Sequence, residues 1–337
     1  MPKLQAGQVS RVLWALVLVT LPVTSFRFMP FLGSGTYVRP LALYPLALLL
    51  PVLLIRLKRR EIDRPWPGTL TILLAFLLVA LAATSFGALL SPVELRGVGY
   101  FDRVVRAVLT LVIGVSFFLA AVWMNQSESD LRFSVKWLLA GLVAHLLWGS
   151  VQFIGLNTGY RQKLLKIQNL FSIRGLVKNK RISGFAYEPS WLAGQITALY
   201  LPWLVAAVLT GYRALGSAQF GSDGNKPTLA SRFRPLLEPG LFLAGSAGLL
   251  MTYSRSGLAI AVIAGLVTFL FAGGPAIAAF WGWVLAGFNR QRWINSIDTI
   301  KLAGSRILLA LLVVAILAGV SAFLADKGYI ATFFNSQ

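Results

Sequence analysis

Long apolar runs constrain this chain more than any other feature of its sequence. Several exceed the ~18 consecutive apolar residues that mark a membrane-spanning helix. Charged residues make up only 12% of the 337 residues, whereas a soluble domain carries about 25%. The sequence therefore predicts an all-α, polytopic helical membrane protein that forms a single transmembrane domain over residues 1–337.

The apolar runs divide into about nine predicted transmembrane helices. They lie at 11–27, 40–56, 66–90, 103–124, 134–155, 188–211, 238–254, 256–275 and 305–325. The stretch 276–288 is only ~20 Å long as a helix, which is short of the ~30 Å hydrocarbon core. We expect this stretch to lie at the membrane interface.

Short basic loops indicate the orientation of the spans. The loop after the second span carries Arg56, Lys58, Arg59, Arg60 and Arg64. Lysine and arginine are enriched in cytoplasmic loops, so this loop predicts a cytoplasmic N-terminus. The net charge of +20 is spread over such loops, and membrane orientation and lipid head groups explain it better than nucleic acid does.

A second basic loop, 156–187, holds no acidic residue and is predicted to lie outside the cytoplasm, where cations are normally avoided. Its cations are Arg161, Lys163, Lys166, Arg174, Lys178, Lys180 and Arg181. A cluster placed against the usual charge rule predicts an anionic, lipid-linked ligand. Within the loop, one helical stripe holds Tyr160, Leu164, Ile167 and Phe171, and the opposite side holds Arg161, Gln162, Gln168, Asn169 and Ser172. This pattern predicts a short helix on the membrane surface, for which simple anchoring is an alternative role.

Glu188 is the only carboxylate between Asp130 and Asp223. Pro189 suits the first turn of a helix, which places Glu188 at the helix start, where the dipole favours an anion. Such an acid can orient an acceptor hydroxyl or take its proton. The simpler alternative is a helix-start acid with Arg181 as its surface partner.

The segment from Thr252 to Gly257 joins the seventh and eighth spans with almost no loop, which holds Arg255 at the membrane surface. Arg103, at the outer end of the fourth span, is a further candidate for the same site. The alternative for these arginines is snorkelling to the interface. An arginine fork suits phosphate because it donates two hydrogen bonds and stays charged. Fixed cations also stabilise a leaving diphosphate in the transition state.

No metal or cofactor is predicted. The chain has no cysteine and one histidine; the histidine, His145, lies in mid-span and is expected to bond between helices. The one acid pair spaced like a metal site, Glu128 and Asp130, is predicted to lie in a solvated cytoplasmic loop. No P-loop or dinucleotide-binding glycine pattern is present.

Two motifs together resemble the bacterial O-antigen ligase and polymerase family. They are Arg181-x-x-Gly184-x-x-x-Glu188-Pro189-Ser190 and Ser254-Arg255-Ser256-Gly257, and the resemblance covers roughly 130–325. It implies a metal-independent, inverting membrane glycosyltransferase of the multi-pass bacterial inner (cytoplasmic) membrane. The donor would be an undecaprenyl-pyrophosphate-linked glycan, transferred to an acceptor glycan at the periplasmic face in O-antigen, capsule or exopolysaccharide biosynthesis. Polysaccharide export or chain-length-control proteins are the implied protein partners.

The resemblance also implies roles for individual residues. The catalytic residues would be Glu188, Arg181 and Arg255. The pyrophosphate would be bound by Arg181, Arg255, Lys180, Lys178, Arg174 and Arg103. The ligases of the family use a histidine in a large outer loop, which this chain lacks, so a polymerase is favoured. Family members continue beyond a ninth span, so the chain ending at Gln337 is expected to be a fragment or a degenerate protein.

Two other classes remain as alternatives. One is a transporter or flippase for lipid-linked oligosaccharide, which should line a path across the bilayer with polar groups. The other is a non-catalytic polysaccharide assembly partner that only holds the lipid donor. The cations gather on one predicted face of the membrane rather than along a path, which favours the transferase.

Overall fold

The computed structural model of the protein describes residues 6–28, 38–63, 68–90, 94, 97, 99–174, 181–210, 214–215, 236–272 and 274. The secondary structure of this part of the chain is helical, with isolated β-bridges and no strands. The predicted all-α class is therefore confirmed for the described residues.

The helices follow the order of the predicted spans. They are α1 (Ala6–Thr20), α2 (Leu43–Lys58), α3 (Gly68–Leu90), α4 (Tyr100–Met124), α5 (Glu128–Asn157), α6 (Arg161–Phe171), α7 (Pro189–Gln195), α8 (Leu201–Thr210), α9 (Leu237–Met251) and α10 (Arg255–Ala272). A π-helical turn, Ile196–Tyr200, joins α7 to α8. Pro202 lies two residues after this turn. It has no N–H to donate to Ala198, which is one reason why regular α-helical bonding fails there.

Four of the described helical segments are long and apolar enough to cross a membrane: Gly68–Leu89, Tyr100–Met124, Glu128–Asn157 and Pro189–Thr210. Shorter apolar helices are Ala6–Thr20, Leu237–Met251 and Arg255–Thr268. The predicted span 305–325 and the predicted interfacial stretch 276–288 lie outside the described residues. Nine spans therefore stay a prediction.

The first helix ends earlier than its apolar run. The sequence predicted a span over 11–27, but α1 ends at Thr20. Pro22 is the physical reason, because a proline disfavours the helical conformation of the residue before it. Helix α2, in contrast, continues further than the sequence predicted. Arg56 and Lys58, which were assigned to the loop, lie in its last turn. Cations are favourable there because they face the negative end of the helix dipole.

The chain divides into two compact units, the first comprising residues up to Leu21 and Pro40–Leu138. In it α1 packs on α2, and α2 packs on α4. Trp14 Nε1 donates to Ser134 Oγ at 2.7 Å, and Arg56 Nη1 donates to Ser10 Oγ at 2.7 Å. The apolar window of α3 is exposed along its length, as suits a helix whose solvent is lipid.

The second unit comprises Pro22–Arg39 and Leu139–Gln337. Its described part has a core around the start of α7, formed by Ile182, Ala186, Leu192, Ala193, Ile196 and Leu249. Helix α8 packs on α9, and α7 packs on α10. This division concerns packing, and the single transmembrane domain stays a prediction.

Candidate functional site

The segment between Arg181 and Glu188 is a tight, buried turn. Ala186 N donates to Ser183 O at 2.9 Å, and Gly184 has a φ of +56°. Ile182 and Ala186 are buried in the core of the second unit. The two candidate site residues therefore stand at the two ends of a turn that is fixed by its own packing.

Arg181 contacts the corner between α9 and α10. Its Nε donates to Thr252 O at 2.8 Å, and the neighbouring Ile182 N donates to Met251 O at 3.3 Å. Arg255, which is exposed, is the first residue of α10. The structure thus brings Arg181 to Thr252, three residues before Arg255.

The corner itself is rigid. Ser254 Oγ accepts the N–H of Gly257 at 3.3 Å, which caps the start of α10. Ser254 N in turn donates to Thr252 Oγ1 at 3.2 Å. Tyr253 adopts a φ of +49°, which a non-glycine residue adopts only where its surroundings hold it. Two basic residues belong to this corner, since Arg181 bonds to Thr252 and Arg255 is the first residue of α10. The positive end of the α10 dipole lies at the same place.

Glu188 occupies the N-cap position of α7, with Pro189 as the first helical residue, as the sequence predicted, and its side chain makes no capping bond to the helix backbone. Its Oε1 accepts from Arg174 Nη2 at 3.0 Å, and both side chains are about two-fifths exposed, 37% for Glu188 and 42% for Arg174. Arg174 also stands over the Tyr187 ring, 4.8 Å from its centroid. The pairing of Glu188 with Arg181 is wrong, because Arg181 points to Thr252 and Arg174 takes the carboxylate.

The remaining predicted site residues do not all fall in this unit. Lys178 and Lys180 lie outside the described residues. Arg103 belongs to the first unit, in the first turn of α4, where its guanidinium stands over the Tyr100 ring at 5.7 Å. The structure therefore gathers Arg174, Arg181, Glu188 and Arg255 in one unit.

The acid pair Glu128 and Asp130 has separate partners. Glu128 pairs with Arg132 at 2.8 Å, and Asp130 pairs with Arg11 at 3.1 Å. Among the described residues no group of three histidine, aspartate or glutamate side chains is placed to hold a metal ion.

A shallow, open cleft of about 560 Å³ lies along α7 and the π-helical turn that follows it. Its described lining consists of Ser190, Trp191, Gly194, Gln195, Ala198 and Leu199. Ser190 Oγ lies 3.5 Å from Glu188 Oε2, so the cleft opens beside the carboxylate. A bound molecule in this cleft would lie within reach of Glu188.

Helix α6 forms as predicted, but its buried side differs from the predicted apolar stripe. Leu164 and Gln168 are buried, whereas Tyr160 and Ile167 are exposed. Gln168 can be buried because its side-chain oxygen keeps hydrogen bonds there: it accepts from both Trp148 Nε1 and Gln152 Nε2 at 3.0 Å. A hydrogen-bonding network therefore joins this side of α6 to α5, and contact of the apolar stripe with the membrane surface stays a prediction.

His145 and Gln152 are residues whose role the sequence did not predict. His145 was expected to bond between helices, but its Nε2 lies 3.2 Å from Ser183 O and from Phe185 N, in the turn before Glu188. Gln152 bonds the same turn. One signal was present: two polar residues seven positions apart, and so on one helix face, within an apolar span.

The segment that follows α1 also contacts the site. Tyr187 N donates to Thr24 Oγ1 at 3.0 Å, and the hydroxyls of Ser25 and Ser172 are 2.7 Å apart. Ile173 N donates to Ser25 O at 3.0 Å. No sequence motif marked this segment, because it is short and its contacts are far away along the chain.

Comparison of the chain with known protein families, with curated proteins and with solved structures finds no match. The case for a function therefore depends on the geometry of the residues described above.

Proposed function

We propose that this chain is a membrane glycosyltransferase that moves a glycan from an undecaprenyl-pyrophosphate donor to an acceptor glycan during polysaccharide assembly. One observation carries the proposal: Arg181 contacts the α9–α10 corner at Thr252, three residues before Arg255, which begins α10. The turn that starts at Arg181 ends at Glu188, the carboxylate of this basic region.

The cations suit the leaving group of such a reaction. As the bond between the anomeric carbon and the phosphate oxygen breaks, the diphosphate leaves with the electron pair and gains negative charge. Arg181 and Arg255 stabilise that charge, and the amide end of α10 adds to the same field. Because the guanidinium of Arg181 is already held by Thr252, little reorganisation is needed when the charge develops.

The carboxylate suits the acceptor. The acceptor hydroxyl attacks the anomeric carbon, and its proton passes to Glu188 as the new carbon–oxygen bond forms. The ion pair with Arg174, at 3.0 Å, holds the Glu188 carboxylate in place beside the acceptor. The cleft along α7 offers space beside this carboxylate for an acceptor sugar or for part of the donor.

A direct test uses purified protein in lipid nanodiscs supplied with undecaprenyl-pyrophosphate-linked repeat units. Glu188→Gln should abolish chain growth while donor binding remains, and Arg255→Ala should weaken both. Matched controls are Glu128→Gln and Arg132→Ala, which remove an exposed acid and an exposed arginine that pair with one another in the first unit. The readout is product length on a gel, with donor binding measured separately.

The other classes give different results in the same experiment. If long product survives both Glu188→Gln and Arg255→Ala, the enzyme proposal is wrong. A non-catalytic partner would bind donor and form no product with any variant. A transporter would move donor between leaflets of a proteoliposome without extending it.

A further inference from the structure

The turn between Arg181 and Glu188 is held by side chains of another helix. From α5, Gln152 Oε1 accepts the N–H groups of Ser183 and Gly184 at 3.1 and 2.8 Å. Gln152 Nε2 donates to Gly184 O at 3.0 Å. Gln152 is fully buried, so one amide side chain satisfies three backbone groups that have no access to water.

His145 holds the next residue of the turn. Its Nε2 lies 3.2 Å from both Phe185 N and Ser183 O. Ser183 O also accepts the Ala186 N–H at 2.9 Å, so a tautomer whose Nε2 accepts from Phe185 N–H leaves neither backbone group without a bond. His145 is fully buried, and loss of this side chain would remove the acceptor of the partly buried Phe185 N–H, which is costly.

Aromatic rings fix the side chain at the middle of the turn. The Phe185 ring is stacked on Trp148 with 6.1 Å between centroids and 11° between planes. It also makes edge contacts with Phe171 at 5.6 Å and with His145 at 5.8 Å. Gln168 connects these aromatic rings to Gln152, since its side-chain oxygen accepts from both Trp148 and Gln152.

We infer that His145 and Gln152 are positioning residues: they lock the turn so that Arg181 and Glu188 keep a fixed separation, Arg181 for the leaving diphosphate and Glu188 for the attacking hydroxyl. Neither side chain touches the substrate. Their effect passes through the backbone of 183–185, whose ends bear the guanidinium and the carboxylate. The catalytic effect of His145 and Gln152 rests on the proposed function. The locking of the turn is independent of that function.

The test combines hydrogen exchange with kinetics in nanodiscs. In Gln152→Leu, the amides of Ser183 and Gly184 should exchange at least about tenfold faster, because their acceptor is gone. The kcat for glycan transfer should fall about a hundredfold, while KM for the donor changes less than about threefold. Asn157→Leu is the matched control: it removes an exposed amide of the same helix, one that bonds only back to Phe153 O among the described contacts.

Gln152→Glu and His145→Gln separate positioning from general loss of structure. Gln152→Glu keeps the acceptor for two N–H groups but loses both donors, so its exchange and kcat should lie between those of the parent and Gln152→Leu. His145→Gln keeps an acceptor for Phe185 and should retain more turnover than His145→Leu. If Gln152→Leu does not accumulate, Gln152→Glu decides the question.

Two outcomes overturn the inference: unchanged exchange at 183–185, or faster exchange with parental kcat and KM. If the parent protein itself transfers no glycan, the proposed function fails, and the exchange result alone then decides whether the turn is locked by α5.

Discussion

At the residue scale, Gly184 shows why the first motif needs a glycine. Its φ of +56° lies in the left-handed region, which other residues adopt at a cost. A Cβ at this position would also overlap the His145 ring. The motif was recognisable in the sequence, but the reason for its glycine was not, because His145 is 39 positions away and reaches the turn only in the folded chain.

Gly184→Ala should therefore destabilise the protein by about 2 kcal/mol or more, from backbone strain and overlap together. Thermal unfolding in detergent measures this. Gly240→Ala in α9 is the control, since a Cβ there meets nothing within 4 Å; it should be neutral or slightly stabilising. Equal melting temperatures for the two variants would contradict the packing of Gly184 against His145.

Arg174 is a second residue-scale case, because its pair with Glu188 is half exposed and so contributes little to stability. Arg174→Gln should change the free energy of unfolding by less than about 1 kcal/mol. It should lower glycan transfer at least about tenfold, since it removes the charged partner of the proposed base. Arg132→Gln breaks an exposed pair of similar length with Glu128 and should match it in stability but keep transfer. Equal transfer by both variants would remove Arg174 from the site.

At the element scale, hydropathy predicted where most helices lie, but not where they end or which side is buried. The end of α1 depends on Pro22, and the rotation of α6 depends on Gln168, whose partners lie on α5. The close approach of α7 and α10 was equally invisible in the sequence. It depends on Gly257, where a Cβ would overlap the Cβ of Ala193.

Gly257→Ala should push α7 and α10 apart and cost about 1–3 kcal/mol, because the atom that it meets belongs to a short, rigid side chain. Gly248→Ala is the graded comparison. Its nearest neighbour is the end of the flexible Leu146 side chain, which can move, so its cost should be smaller. Chemical denaturation measures both, and a larger loss for Gly248→Ala would contradict the described crossing of α7 and α10.

At the scale of the whole molecule, the basic loops predict which parts of the chain share a side of the membrane. The charge rule places the end of α2 in the cytoplasm and places α6 and the start of α10 outside. Four of the described helical segments are long and apolar enough to cross a membrane, and the number of spans and their orientation stay predictions.

The absence of cysteine makes that topology directly measurable with single-cysteine variants. In intact cells, a membrane-impermeant maleimide should label Tyr160→Cys and Ser256→Cys. It should label Arg59→Cys only after the membrane is opened. These positions are chosen because Tyr160 is 57% exposed and Arg59 and Ser256 are also exposed. Labelling of Tyr160→Cys and Ser256→Cys from opposite sides would refute a shared outer site.

The bond between Thr24 Oγ1 and Tyr187 N spans 163 positions of the chain. During synthesis, at about 5–20 residues per second, the later partner leaves the ribosome roughly 8 to 30 s after the earlier one. The segment that follows the first helix therefore lacks this hydrogen bond until the turn that carries Glu188 has been synthesised. Assembly of the reactive end of the protein is thus a late event in its biogenesis, and a nascent chain stalled before residue 187 would lack it.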